Sequence, residues 1–147
     1  MQELEAMPTG PYLAAAFLCE RVLGEQDGVF SFIRVVDRRT HTVVGPDAPE
    51  AMPAITIDWY LVLLWKAGSA RGRQEATLQI EAPSGLRVGD TQRLPVLFEG
   101  EDRGVQIVAQ LGLQLQEEGL YWIDVRLDHR PVTRIPFRLV YQRLGRA

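Results

Sequence analysis

Cysteine occurs once in this chain, at Cys19, and histidine twice, at His41 and His129. One thiol excludes an internal disulfide framework and suits a reducing compartment. With so few histidines and cysteines, a zinc site would have to be built largely from carboxylates. The acidic groups that invite a calcium reading are Asp124 with Asp128, and Glu99, Glu101 and Asp102. Both have the composition of ordinary solvated surface, so no metal and no other cofactor is expected. A nucleophile with a base beside it is equally hard to compose. His41 lies near a strand end, His129 in the turn 128–131, and Cys19 within an apolar run where it reads as a small buried hydrophobe. No phosphate-binding loop of the GxxxxGKS type occurs. An enzyme is not expected.

Charge of one sign is scarce too. Sixteen Lys and Arg against 19 Asp and Glu leave a formal net charge of −3, which gives no reason to expect a nucleic-acid partner. Long apolar runs are missing: Leu13 to Cys19 falls far short of the ~20 residues of a membrane-spanning helix. Glu3 and Glu5 precede that run where a signal peptide would be basic. The expectation is a cytoplasmic protein that does not engage a membrane.

What is present is strand. The chain has 147 residues, 46% of them hydrophobic and 24% charged, enough for one domain (1–147) with its own core. Residues 104–141 organise the reading as three consecutive strands. Val105, Ile107, Ala109, Leu111, Leu113 and Leu115 alternate with polar positions that include Gln106, Gln110 and Gln114, the period of a half-buried strand. A three-residue loop at 117–119, with Gly119 left-handed, sets Leu115 against Tyr121 and Leu113 against Ile123. In the next hairpin, the register that opposes Asp124 to Arg134 and Ile123 to Ile135 avoids facing Arg126 with Arg134. Pro136 places the last strand at a sheet edge or at a bulge.

Upstream, residues 1–11 read as a loose lead-in. Tyr12 to Glu25 and Val29 to Val44 form a long hairpin around Gln26-Asp27-Gly28; a three-residue loop opposes Glu20 to Arg34 and is electrostatically better than a two-residue loop, which opposes Arg21 to Arg34. Ala14 to Ala16 would tolerate a helix, but the turn chemistry favours strand. The proline-bearing stretch 45–53 is an extended connection. Ile55 to Lys66 is apolar on both faces, Gln74 to Ala82 alternates, and Thr91 to Gly100 carries Pro95 as an edge signal. Eight strands without a helix predict a two-sheet antiparallel sandwich.

Two surfaces stand out. The outer face of the last strands displays Trp122, Asp124, Arg126, Arg134 and Arg138, a composition suited to a protein partner. It also fits stacking of a carbohydrate on Trp122, or plain cover of Trp122 by arginine stems. Tyr60, Val62 and Leu64 form a second apolar face that loops, the lead-in or a second copy of the chain would have to cover, making them candidates for a homo-oligomer interface.

The run from Ala16 to Arg38, and the late run Gly119 to Asp128 followed by Ile135-Pro136, resemble the opening and closing hairpins of a family of small, uncharacterised bacterial proteins. The resemblance implies an all-β sandwich and supplies no activity or catalytic residues; its closing hairpin is similar to those of immunoglobulin-like modules. The expectation is a non-enzymatic, immunoglobulin-like module acting through protein contacts, by self-association, partner binding or both. The alternative is a small-ligand module using Trp122.

Overall fold

In the computed structural model, which describes residues 9–145, every regular element is a β-strand. The strands are β1 (Tyr12–Gly24), β2 (Phe30–Val36), β3 (Arg38–Val44), β4 (Ile55–Lys66), β5 (Arg71–Glu81), β6 (Arg87–Glu99), β7 (Gly104–Leu115), β8 (Gly119–Leu127) and β9 (Arg130–Leu144). They form a four-stranded sheet, β2-β1-β4-β7, and a five-stranded sheet, β3-β9-β8-β5-β6. Residues 1–8 of the expected lead-in lie outside the described residues. Thr9 accepts a hydrogen bond at its carbonyl from the Ser69 N–H, 2.8 Å away.

The alternation read in the sequence is what the two layers use. Trp59, Leu61, Leu63 and Trp65 of β4 are buried against Leu78 and Ile80 of β5, Tyr121, Ile123 and Val125 of β8, and Phe137 of β9. Aromatic edges and faces tie the sheets together. Trp59 meets Phe137 edge-on at 5.6 Å and Trp65 meets Phe98 at 6.2 Å across the two layers, while within the five-stranded sheet Tyr121 stacks on Phe137 at 4.9 Å. Such pairs contribute roughly 0.5–1.5 kcal/mol each beyond the area they bury.

The order of the strands makes the sandwich immunoglobulin-like. β4 and β7 are neighbours in one sheet, and β6-β5-β8-β9 run side by side in the other, the B-E and C′-C-F-G arrangement of that fold. At the start of β8, the Tyr121 hydroxyl donates to the carbonyl of Glu117, four residues upstream. This is the tyrosine corner such sandwiches place where the chain crosses between sheets.

The crossing corrects the expected meander. β7 does not pair with β8: Leu115 lies beside Ile55 and Leu113 beside Ile57 of β4. Leu113 and Ile123 are both buried in the core, but they belong to opposite layers. A crossover satisfies the period-two pattern as well as a hairpin does, because either way the apolar side points inward. Gly119 has a positive φ of 132°, at the entry to β8 and not inside a hairpin loop. A Cβ there would come within 3.0 Å of the Pro83 ring.

The final hairpin keeps the expected register, with Asp124 beside Arg134 and Ile123 beside Ile135, until a shift after Val125 sets Arg126 beside Pro131. β3 runs parallel to β9 and reaches it only from Arg138 onward. Pro136 therefore sits in the half of β9 that has one neighbour, where a missing N–H costs nothing. β6, with Pro95, is an edge strand as read.

In the first hairpin the Arg34 Nε donates to Glu20 across 2.7 Å, as the three-residue loop requires. The expected continuous strand 29–44 is two strands, broken at Asp37, where the chain changes sheets. The connection 45–54 is pinned by the Tyr141 hydroxyl, which donates to the Pro49 carbonyl at 2.6 Å, and by the buried Met52.

Candidate functional site

β8 and β9 present Trp122, Asp124, Arg126, Arg134 and Arg138 on the outer face of the five-stranded sheet, because their alternate positions Tyr121, Ile123, Val125, Phe137 and Leu139 fill the core. Within this face Arg134 is held by its neighbours. Arg134 donates from Nε to Asp124 Oδ1 at 2.6 Å and from Nη2 to Glu81 Oε2 at 3.0 Å. Its guanidinium carbon lies 4.6 Å from the centroid of the Trp122 ring. Cation–π contact at an exposed site contributes ~0.5–1 kcal/mol, and two carboxylates hold the arginine in that position. A shallow hollow of about 520 Å³ lies beside it, between Arg126 and the strand from Pro131 to Arg134. Arg138 borders a separate hollow with Arg38 and Pro136.

Four of the acidic groups read for calcium are engaged elsewhere. Asp124 holds Arg134, Asp128 accepts the Glu75 N–H at 2.8 Å, and Glu99 and Glu101 pair with Arg103. His41 stacks on Tyr141 at 6.2 Å, and His129 occupies the β8–β9 turn. Gln106, Gln110 and Gln114, which the expected meander of 104–141 would put on the same face as Trp122, belong to the other sheet. That separation follows from β7 pairing with β4.

The outer face of the four-stranded sheet answers the question of cover. Phe17 lies beside Val62 in the β1–β4 ladder, and the Phe17 and Phe32 rings meet edge-on at 5.3 Å. In the β1–β2 ladder Phe32 sits opposite Val22, a displacement along β1 of roughly 16 Å at ~3.3 Å per residue. Those rings touch only because the hairpin bends back over its own sheet. Arg34, at a φ of 59°, marks the bend. Beneath it Val62 and Cys19 are 0% exposed. Val62 thus has no surface to offer a second copy, correcting its assignment to an oligomer face, while Tyr60 and Leu64 stay half-buried. Burial pushes the Cys19 thiol above its usual range, and the thiol donates to the Arg21 carbonyl. A thiol kept neutral is a poor nucleophile.

The sheet edges differ sharply from one another. An edge strand exposes unpaired N–H and C=O groups, and proteins guard such strands with charge, proline, bulges or brevity. β2 and β3 are seven residues each; β2 is distorted at Arg34, and β3 opens with Arg38 and Arg39. β6 carries Arg87, Asp90, Arg93, Pro95 and Glu99, with a register shift in its ladder. The half of β1 without a β2 neighbour has a bulge between Leu13 and Ala15.

β7 has none of these devices. Its twelve residues include no charge and no proline, and its pairing to β4 is continuous from Gly104 to Leu115. Its outer face shows exposed Gln106, Gln110, Gly112 and Gln114. Beside it a cleft of about 240 Å³ opens into the sandwich, with Leu111, Leu113, Ile80 and Val88 among its walls. Sequence reasoning missed this edge by giving β7 a partner in β8. The available signal was the charge-free run between Arg103 and Glu117.

The model of a family of unknown function (DUF6941) matches residues 14–140. The chain belongs to that family. The resemblance carried by the runs 16–38 and 119–128 is thereby borne out, and DUF6941 membership brings no assigned activity. Among solved structures, an immunoglobulin-like protein (PA1606) from Pseudomonas aeruginosa is similar at 12% identity. The match covers 88% of this chain and 95% of that one, with a TM-score of 0.44. No curated protein matches this DUF6941 chain.

Proposed function

We propose that this domain is a non-catalytic module that works through protein contacts, and that its contact surface is the β7 edge. The observation that carries the reading is the twelve-residue β7, uncharged and free of proline, which among the described residues pairs with β4 alone, in a molecule whose other edges are short, charged, bulged or interrupted by proline. Strand addition to such an edge draws affinity from main-chain hydrogen bonds and specificity from alternate side chains; the adjoining cleft, walled by aliphatic side chains together with Asp90 and Gln92, supplies a recess for the latter. The small-ligand reading at Trp122 is less well supported, because stacking on the ring face that Arg134 occupies would displace an arginine held by two carboxylates.

The test uses the chain and its Gln106→Lys/Gln110→Lys/Gln114→Lys variant, since lysine is the residue that guards natural edges. The wild type is expected to retain a protein, itself or another, whose binding slows amide exchange along residues 105–115. The variant is expected to lose that retention with its fold unchanged. Equal retention by both chains, or binding that leaves the β7 amides unaltered, would overturn the reading.

A further inference from the structure

We infer that the occupant of the β7 edge is a second copy of the same strand, running antiparallel across a twofold axis at Gln110 and joining two four-stranded sheets into one of eight. This rests on the reading of β7 as the contact edge and adds the partner and the register.

Neutrality argues for self-pairing. A foreign strand is best recruited by complementary charge along the edge, whereas a strand that meets its own copy sets like against like wherever a charge faces itself. β7 has no charge to repel in any register. The pleat then narrows the registers. A shift by one residue would place inward side chains of one copy beside outward ones of the other, so only same-face registers survive. Among these, centring on Gln110 uses nearly the whole strand. Gln110 faces its own copy, Gln106 faces Gln114 of the other chain, and Val108 faces Gly112. Paired glutamines across a ladder hydrogen-bond through their amides, as they do in stacked sheets. On the inner face Ile107 adjoins Leu113, and Ala109 adjoins Leu111, so the apolar side stays continuous.

Cysteine cross-linking reads this register directly, because the single native cysteine is buried. Directly opposed residues of an antiparallel pair have Cα atoms ~4.5–5.5 Å apart, within the ~4.4–6.8 Å that a disulfide spans. Under mild oxidation Gln110→Cys is expected to yield a covalent dimer. Gln106→Cys alone should remain uncross-linked, and Gln106→Cys/Gln114→Cys should cross-link again. Those two positions lie roughly 26 Å apart within one extended chain at ~3.3 Å per residue, so they cannot close on themselves. Sedimentation equilibrium is expected to show a wild-type dimer whose dissociation constant rises at least tenfold in the triple-lysine variant. Cross-linking of Gln106→Cys as efficiently as Gln110→Cys would refute the register. A wild type that stays monomeric at all accessible concentrations would refute the second copy. If the triple-lysine variant then still loses another bound protein, the contact edge stands without self-pairing; if it loses nothing, both readings fail.

Discussion

Replacing Tyr121 with phenylalanine removes one oxygen and leaves the ring where it is, which isolates the corner hydrogen bond from packing. Tyr121 is 1% exposed, its ring is stacked on Phe137 with an interplanar angle of 7°, and its hydroxyl donates to the Glu117 carbonyl. A hydrogen bond of this kind contributes ~1 kcal/mol net, and the abandoned acceptor adds up to about 1 kcal/mol if water reaches it poorly. Tyr121→Phe should therefore cost ~1–2 kcal/mol, or about 3–6 °C in melting temperature for a domain of this size. Tyr121→Ala, which also empties the stack, should cost ~3–5 kcal/mol. The assay is urea unfolding at matched slope, read by far-ultraviolet dichroism and by tryptophan emission. A Tyr121→Phe variant within ~0.3 kcal/mol of wild type would refute the claim that the hydroxyl locks the crossover from β7 to β8.

The same substitution carries a pH signature. Burial of Tyr121 raises its phenol above the ordinary range. In the unfolded chain the phenol ionises at about pH 10, so the folded state holds its proton longer. The Tyr121 contribution is fully present below pH ~10 and is lost as pH rises through the higher folded value. Tyr121→Phe should flatten that alkaline loss in stability measured from pH 9 to 11.

Three further outcomes follow from the packing. Arg134→Ala removes two exposed ion pairs and the cover of Trp122; it should cost only about 1 kcal/mol yet shift emission to the red and increase iodide quenching, since Trp59 and Trp65 stay buried. Cys19 should react with thiol reagents only as fast as the domain opens, with no native-state phase at pH 7. Gly119→Ala forces a methyl group toward Pro83 at a positive φ, so a loss of ~1–3 kcal/mol is expected, and a neutral result would show that Pro83 yields easily.

Much of the fold was legible because its signals are local. The Asp27-Gly28 turn and the Glu20–Arg34 pair set the first hairpin, and the charge pairing of Asp124 with Arg134 set the last. Pro95 and Pro136 marked edges from the chemistry of a missing N–H. The partner of β7 was not legible, because alternation records which side of a strand is buried and says nothing about which strand lies beside it. A hairpin with β8 and a crossover against β4 bury the same leucines. The sheet switch at Asp37 was hidden for the same reason. At the site, Trp122 with its arginines was visible as a composition and arginine cover of the ring was one reading of it, but that Arg134 supplies the cover depends on the two carboxylates that hold it. Val62 likewise looked unpartnered until the β1–β2 hairpin bent over it.

Amide exchange along β7, followed by NMR as the protein is diluted, tests the central claim most directly. In the dilute chain, β7 amides should be protected at every second residue, where they face β4, and should exchange freely in between, whereas Trp122 to Leu127 of β8, flanked on both sides, should be protected throughout. The unprotected half of β7 should become slow as concentration rises. Uniform protection of residues 105–115 at the lowest concentration, or alternate amides that stay fast however concentrated the sample, would contradict the account.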